Sequence, residues 1–569
     1  MTDLPVVEVR PLAMPFDLEL ELPGAKSLAN RALVAACLAP GRTVIDNATP
    51  GEDVELMVTN LRRLGFDVRW RDRPSGRVEV DGGLPTGRGS AVLDCGNAGT
   101  TLRFLTALAA LVPGDWVVTG SARMQQRPIG PLVRALRSLG AELEDRDGCP
   151  PITIRGGTLR GGRVAIDTRV SSQFASALAL VAPAAPDGIE LGIDNAASRP
   201  YLALTQKVMA AFGVTAAGRR YASPGHHAIE ADWSAAGAFL VLAELTGSRV
   251  RTANLDPASD QPDRSLPEVI IAMRRPGDLI VDCAGTPDQL MNLAVLAAHR
   301  AGATRFVGAS NLRHKECDRL EVLARELGKV GVDIEQHDDG VVVGPSPTLR
   351  AARLDPCGDH RMAMAFAVLG SMHAGIAIED PGCVAKSYPA FFADLARIHC
   401  APPCLALVGM RGAGKSTFGA ELARALGLPC IDVDAEFERR HGAIAAFVAA
   451  AGWSRFRELE ERLVDESLRP GHVIALGGGA VLSRRTRQRL RDRALVVHLD
   501  EELATLERRN AGGDRPALTD RGVVGEVAAV LAERQPLYRE VADVTLPPGR
   551  TPAQWVATLQ RELRARCSW

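Results

Sequence analysis

The run Gly409-Met-Arg-Gly-Ala-Gly414-Lys415-Ser416-Thr417 constrains this chain more than any other stretch. It follows four apolar residues, Leu405-Ala-Leu-Val408, and leads into a helical pattern. Closely spaced glycines let backbone N–H groups turn inward around an anion, and a lysine and hydroxyl at the helix start complete a phosphate cradle. Such a loop needs a buried strand on one side and a helix on the other. The surrounding segment is therefore expected to be a parallel α/β domain. Its remainder agrees: the apolar runs Val473 to Leu476 and Leu495 to Leu499 alternate with charged helical stretches. In front of it, His399 to Pro403, with two prolines, breaks the amphipathic helix pattern of Tyr388 to Ile398. That places a domain boundary at about 400.

At 569 residues the chain is too long for one core, and about three domains are expected. The region before 400 repeats one phrase: an amphipathic helix, a glycine, then a short strand. It appears around Gly65, Gly140, Gly213 and Gly331. A glycine there is the expected helix C-cap, since it takes the left-handed conformation cheaply. The spacing is uneven, so this is a supersecondary repeat within an α/β architecture and not a solenoid. A net charge of −1 excludes a general nucleic-acid binder. Met1 to Arg10 has no signal-peptide pattern, and the longest apolar stretch, Ala175 to Ala185, is too short to span a bilayer. Eleven cysteines without paired spacing point to reduced thiols and a cytoplasmic protein that binds no membrane.

Of the 67 Lys and Arg residues only six are lysine. Lys207 and Lys329 lie in ordinary helix patterns. Lys26, Lys315, Lys386 and Lys415 each lie in a short polar or glycine-rich stretch beside an apolar run, where a compact ammonium suits a single phosphate oxygen or a proton transfer. Lys26 belongs to the first of three similar stretches. Lys26-Ser27 through Arg31 precedes the apolar run Ala32 to Leu38, Asp94 through Gly99-Thr100 precedes Leu102 to Leu111, and Ser171-Ser172-Gln173 precedes Phe174 to Val181. Helix starts favour anions through free N–H groups and the helix dipole. One such start is ordinary capping; three, two of them with basic residues nearby, point to a multiply charged anion. Asp288, Asn311 through Arg319 and Asp359-His360-Arg361 add charged clusters downstream. In the C-terminal segment, Lys415 is placed to reach the β- and γ-phosphates of a nucleotide and Ser416 to ligate Mg²⁺. Asp432-Val-Asp434 reads as a strand end, with Asp432 orienting metal-bound water and Asp434 on the same side, able to take a proton from a hydroxyl.

On these residues the segment from 400 to 569 resembles shikimate kinase. The P-loop, Asp432-x-Asp434, Phe456-Arg457, Gly477-Gly478-Gly479, the lid arginine and Arg534-Gln-Pro-Leu-Tyr538 come in that family's order. The resemblance implies a three-layer α/β/α P-loop kinase with a parallel sheet. It implies ATP binding by Gly412, Ala413, Gly414, Lys415, Ser416, Thr417 and Arg515, and Mg²⁺ held through Ser416 and Asp432. It further implies shikimate binding by Asp434, Arg457, Gly478, Gly479 and Arg534. Lys415, Asp434 and Arg515 would be the catalytic residues.

The chain up to about 398 resembles 5-enolpyruvylshikimate-3-phosphate synthase. Its motifs are Lys26-Ser-x-x-Asn-Arg31, Gly96-Asn-Ala-Gly-Thr100, Arg127-Pro-Ile-Gly130, Ser171-Ser-Gln173, Ser198-Arg-Pro-Tyr201, Lys315-Glu-x-Asp-Arg319, Asp359-His-Arg361 and Lys386. The resemblance implies an enolpyruvyl-transferase fold of two halves, each built from repeated helix and strand units. One half takes 1–20 plus 240–398 and the other 21–239, followed by a linker at 399–403 and the kinase at 404–569. Shikimate 3-phosphate is then expected on Lys26, Ser27, Arg31, Ser171, Ser172, Gln173, Ser198, Asp288, Asn311 and Lys315. Phosphoenolpyruvate is expected on Lys26, Gly99, Thr100, Arg127, Gln173, Arg319, Arg361 and Lys386. Asp288 and Glu316 are the candidate base and acid, with Lys26 bridging both ligands. An acid at neutral pH needs a carboxyl raised by burial among apolar neighbours. The chain is thus expected to be a bifunctional enzyme of aromatic amino-acid biosynthesis. The alternative, one domain serving as a ligand-binding or regulatory module, sits poorly with intact Lys26, Asp288, Lys415 and Asp434.

Overall fold

The computed structural model describes residues 5–12, 16–193, 199–215, 220–399, 404–511 and 525–566. Ser198 and Arg515 lie outside the described residues. The chain forms two compact units. The first is built mainly from Leu20–Leu242 and Thr252–Phe392, the second from Ala393–Trp569 with the short pieces Leu12–Glu19 and Ala243–Arg251. The strands Asp17–Leu20 and Arg249–Thr252 pair with each other in a two-stranded sheet of their own. Ser248 and Arg249 bond to Phe16, and Arg397 donates to the Glu19 carbonyl at 3.2 Å.

In the first unit the recurring phrase becomes strand, helix, strand, helix and hairpin. Gly89–Asp94 and Gly114–Thr119 pair in parallel around the helix Gly99–Leu111, and the antiparallel strands Cys149–Gly156 and Glu142–Arg146 complete that sheet. Leu279–Asp282, Thr304–Val307, Gly340–Val343 and Ile334–His337 form a sheet of the same order. The glycines that end the helices, Gly65, Gly140, Gly213 and Gly331, all have φ between +85° and +96°, a region costly for residues with a Cβ. Three helices, Lys26–Leu38, Gly99–Leu111 and Gln173–Val181, are buried on nearly every side within one apolar core that runs from Ala25 to Ile229. A helix buried all round needs mostly apolar residues, which these sequences supply beyond their first turns apart from a few hydrogen-bonded polar groups such as Arg31 and Ser176. Their polar first turns therefore emerge together at the core's edge. The helices begin earlier than the apolar runs suggest, so Lys26, Gly99, Thr100 and Gln173 are first-turn residues and not part of a preceding loop.

The second unit contains a five-stranded, wholly parallel sheet in the order Cys430–Asp432, Val473–Ala475, Leu405–Val408, Leu495–Leu499, Val544–Leu546. Leu405–Val408, the central strand, is completely buried, as a parallel strand covered on both faces should be. The amphipathic helix read over Tyr388 to Ile398 is a helix at Phe391–His399. Among the described residues no helix is long and apolar enough to cross a membrane.

Candidate active sites

The first-turn residues of the three buried helices meet the segments around Asp288, Asn311, Lys315 and Arg361 in one cleft of the first unit. Six cations line it: Lys26, Arg31, Arg127, Lys315, Arg319 and Arg361. Five carboxyls stand among them: Asp53, Asp232, Asp263, Asp288 and Glu316. Burial pushes Asp232 and Asp263 above the usual carboxylate range, although Arg361 pulls the other way. The remaining charge balance is positive, so the cleft favours anions.

Arg319 organises one wall. It is 1% exposed and donates to Asp288 at 2.8 Å, Glu316 at 3.1 Å and Asp359 at 2.6 Å. Asp359 caps the helix His360–Met372 by accepting the Arg361 amide, and Arg361 reaches Asp288 at 3.1 Å. Lys315 lies 3.5 Å from Asp288. Burial alone would raise Asp288, but Arg361, Lys315 and Arg319 outweigh it and hold the carboxyl well below its ordinary range. Glu316 behaves likewise: burial is outweighed by Arg319, Lys386 and Arg127. This corrects the expectation of a carboxyl raised among apolar neighbours. Both candidates are buried among cations, and both are ionised. His360 is buried and held neutral by desolvation.

On the opposite wall, Asp53 forms ion pairs with Lys26 Nζ at 2.8 Å and Lys386 Nζ at 3.2 Å. Lys386 also donates to the Asn97 carbonyl at 2.9 Å. Arg127 donates to the carbonyls of His314 at 3.0 Å and Asn97 at 3.1 Å, and Arg123 to that of Lys315 at 3.2 Å. These bonds draw residues 97–127 against 314–316 and 386. Arg31, in the second turn of its helix, bonds Thr205, Ser27 and Ser176. Gln173 donates to Thr100 Oγ1 at 3.0 Å. Ser171 accepts the Gln173 amide, and Ser172 occupies the N-cap position without a side-chain cap bond. Asn311 Oδ1 is buried without a hydrogen-bond partner among the described residues. A Cβ at Gly99 would lie 2.4 Å from Arg103 and 2.6 Å from Arg127. The cleft therefore gathers every described residue expected there except Lys386, which supports Asp53 from behind. Asp53, Arg103, Arg123, Asp232 and Asp263 were missed. Asp53 is one of several acids in a helix first turn, a pattern with an ordinary dipole explanation.

In the second unit, Gly412 (φ +82°) and Gly414 (φ +94°) curl the loop before the helix Lys415–Leu426. Lys415 Nζ folds back onto the carbonyls of Gly409 at 2.9 Å and Met410 at 3.0 Å. Ser416 and Thr417 are exposed at the helix start. Beside this loop is a cleft lined by Arg411, Asp432, Asp434, Arg457, Glu460, Gly477–Gly479 and Arg534. The strand ends at Asp432, which accepts the Ala435 amide and caps the helix Val433–His441. Asp434 is thus a helix first-turn residue, and its direction comes from that turn and not from strand alternation. Arg457 follows a break at Gly452 (φ +78°) inside Ile444–Ser467. It pairs with Glu460 and sits over the rings of Trp453 and Phe456. Burial raises Glu460, opposed by Arg457. A Cβ at Gly479 would sit 2.2 Å from the Arg457 guanidinium, so any larger residue would displace that arginine from its present position. Arg534 and Tyr538 both donate to the Gly478 carbonyl. Arg411 and Glu460 were not foreseen.

A family model for EPSP synthase (3-phosphoshikimate 1-carboxyvinyltransferase) matches residues 14–395, and one for shikimate kinase matches 411–564. The 3-phosphoshikimate 1-carboxyvinyltransferase of Photorhabdus laumondii is 39% identical over 409 residues, covering 67% of this chain and 95% of that protein. The Pentafunctional AROM polypeptide of Malassezia globosa is 32% identical over 631 residues, covering 92% of this chain and 39% of that one. A solved EPSP synthase from Acinetobacter baumannii shares the fold, with a TM-score of 0.55 at 24% identity over 68% of this chain and 97% of its own.

Proposed function

The chain belongs to the EPSP synthase family and carries a shikimate kinase domain behind it, and from that premise we propose how its two clefts divide the chemistry. It is a bifunctional shikimate-pathway enzyme. The kinase cleft phosphorylates the shikimate 3-hydroxyl with ATP. The synthase cleft joins the 5-hydroxyl of that product to phosphoenolpyruvate and releases phosphate. Chemistry runs against chain order.

In the synthase, the six cations match two multiply charged anions. Ser171, Ser172, Lys315 and Asn311 would take the phosphate side of shikimate 3-phosphate, and Ser27 and Arg31 its carboxylate side, with Ser198 and Gln173 completing the set. Gly99, Thr100, Arg127, Arg319, Arg361 and Lys386 would surround phosphoenolpyruvate. The 5-hydroxyl oxygen bonds to C2 while its proton leaves and C3 gains one. The tetrahedral adduct then loses phosphate and a C3 proton. Asp288, already ionised, is in the form a base requires. Its cationic neighbours make it a weak base until the substrates' own anions engage them. Glu316 is ionised too, so the proton for C3 comes from a cation. Lys26 is the candidate, because it lines the cleft on the phosphoenolpyruvate side, whereas Lys386 does not line it and Lys315 takes the shikimate 3-phosphate side.

In the kinase, Arg457 and Arg534 would hold the shikimate carboxylate and Asp434 its hydroxyls, with Gly478 and Gly479 admitting the ring closely. Gly412, Ala413, Gly414, Lys415, Ser416 and Thr417 would cradle ATP, with Arg515 over the phosphates. Ser416 and Asp432 offer hard oxygen donors, the type and number Mg²⁺ takes from a protein when phosphates and water supply the rest. When bound, the ion neutralises charge on the β- and γ-phosphates. The mixed cationic cleft around Lys26 carries the synthase reading. The test is phosphate release from phosphoenolpyruvate by the full chain with supplied shikimate 3-phosphate and no ATP. The reading predicts turnover that Lys26→Arg abolishes; turnover unaffected by Lys26→Arg would refute the assignment.

A further inference from the structure

We propose that Arg411 is a phosphoryl-facing residue of the kinase site, aimed by Glu526; this rests on the kinase reading above. A P-loop pattern leaves this position open to any residue, so the sequence motif gives it no role. The structure does. Met410 turns its side chain into the apolar core, and Arg411 beside it lines the acceptor cleft with Asp434, Arg457 and Arg534. The loop and the acceptor turn meet at this residue: a Cβ on Gly478 would lie 3.1 Å from the Arg411 amide nitrogen. Lys415 Nζ is bonded to the two carbonyls immediately before it. Asn510 donates to the Arg411 carbonyl at 3.2 Å and to that of Leu506 at 2.7 Å, which pins the backbone.

The side chain is held as firmly. Arg411 is 8% exposed and its guanidinium pairs with Glu526, which is fully buried. A buried ion pair is a poor stabiliser compared with apolar residues of the same volume, so packing alone gives little reason for one at the edge of a substrate cleft. Phosphoryl transfer supplies a reason. The acceptor oxygen bonds to the γ-phosphorus as the bond to the β–γ bridging oxygen breaks. The hydroxyl proton passes to Asp434, and ADP departs. Charge gathers on the transferring group between the phosphate cradle and the acceptor. Arg411 lines the cleft where the loop and the acceptor turn meet, and its pairing with Glu526 fixes the guanidinium before substrates arrive.

The test compares Arg411→Met, Arg411→Lys and Glu526→Gln in the full chain, assaying ADP formation with shikimate, ATP and Mg²⁺. Arg411→Met is expected to lower kinase kcat about 100-fold, with KM for shikimate and ATP changed less than about threefold. Arg411→Lys, which keeps the charge and loses the planar fork, should fall between it and wild type. Glu526→Gln should lower kcat less than Arg411→Met. Wild type with shikimate should trap ADP with aluminium fluoride; Arg411→Met should bind ADP and fail to trap it. An unchanged kcat in Arg411→Met, or equal losses of kcat and of ADP affinity in both Arg411 variants, would overturn the proposal. A wild-type chain that forms no ADP would overturn the kinase reading beneath it.

Discussion

Asp53→Asn isolates one contact. Its carboxylate is 2% exposed and serves two ammonium groups, Lys26 at 2.8 Å and Lys386 at 3.2 Å. The amide keeps the shape but has one acceptor oxygen. One lysine keeps a partner, and the other meets an NH₂ group. A hydrogen bond to a charged group contributes about 1.5–3 kcal/mol. If that energy fixes Lys26 for catalysis, its loss should appear in kcat as about a 10- to 150-fold fall. A second effect has the opposite sign. Removing a negative charge from an anion-binding cleft favours substrate binding, so KM for phosphoenolpyruvate should not rise. Steady-state phosphate release with saturating shikimate 3-phosphate separates the two. A lower kcat with equal or lower KM supports the positioning role. A raised KM with unchanged kcat would show that Asp53 merely shapes the binding surface.

Lys26→Arg is expected to abolish enolpyruvyl transfer and leave ADP formation from shikimate intact; equal loss of both activities would refute separate sites. Arg319→Met leaves the buried carboxylates of Glu316 and Asp359 and the half-buried one of Asp288 without their shared cation, so it should destabilise the first unit by about 3–5 kcal/mol in urea unfolding; a loss under about 1 kcal/mol would refute the wall described. Asp263 has a folded pKa raised above its ordinary 3.8 by burial, so between those values the folded chain binds more protons than the unfolded chain and stability falls as pH rises. Asp263→Asn removes that term, and its urea midpoint should gain on wild type as the pH rises above about 4; parallel profiles would contradict the shift. Labelled shikimate converted in the presence of added unlabelled shikimate 3-phosphate should give diluted product, and undiluted label would show obligatory channelling.

The phosphate cradle, the wholly parallel sheet and the left-handed glycines at 65, 140, 213 and 331 were legible because each follows from local backbone demands. Most of the cleft's cations were legible through their motifs. What escaped depended on packing. Asp53 looks like any first-turn acid until Lys26 and Lys386 are seen converging on it from positions 27 and 333 residues away. The ionisation of Asp288 and Glu316 could not be read from their neighbours in sequence, because Arg127, Arg361 and Lys386 arrive from distant elements. Asp434 was assigned to a strand because the alternation continues through it; the Asp432 cap ends the strand two residues sooner. The pairing of Asp17–Leu20 with Arg249–Thr252 joins segments more than 220 residues apart, which local pattern does not report.

Phosphorus NMR of the purified full chain with shikimate, ATP, Mg²⁺ and phosphoenolpyruvate follows both reactions at once. Wild type should form ADP, inorganic phosphate and the enolpyruvyl product. Lys26→Arg should stop at shikimate 3-phosphate. Lys415→Met should make nothing from shikimate, yet convert supplied shikimate 3-phosphate at the wild-type rate. Loss of both steps in either variant, or phosphate release from phosphoenolpyruvate without any phosphorylated acceptor, would contradict two independent phosphate-handling sites in one chain.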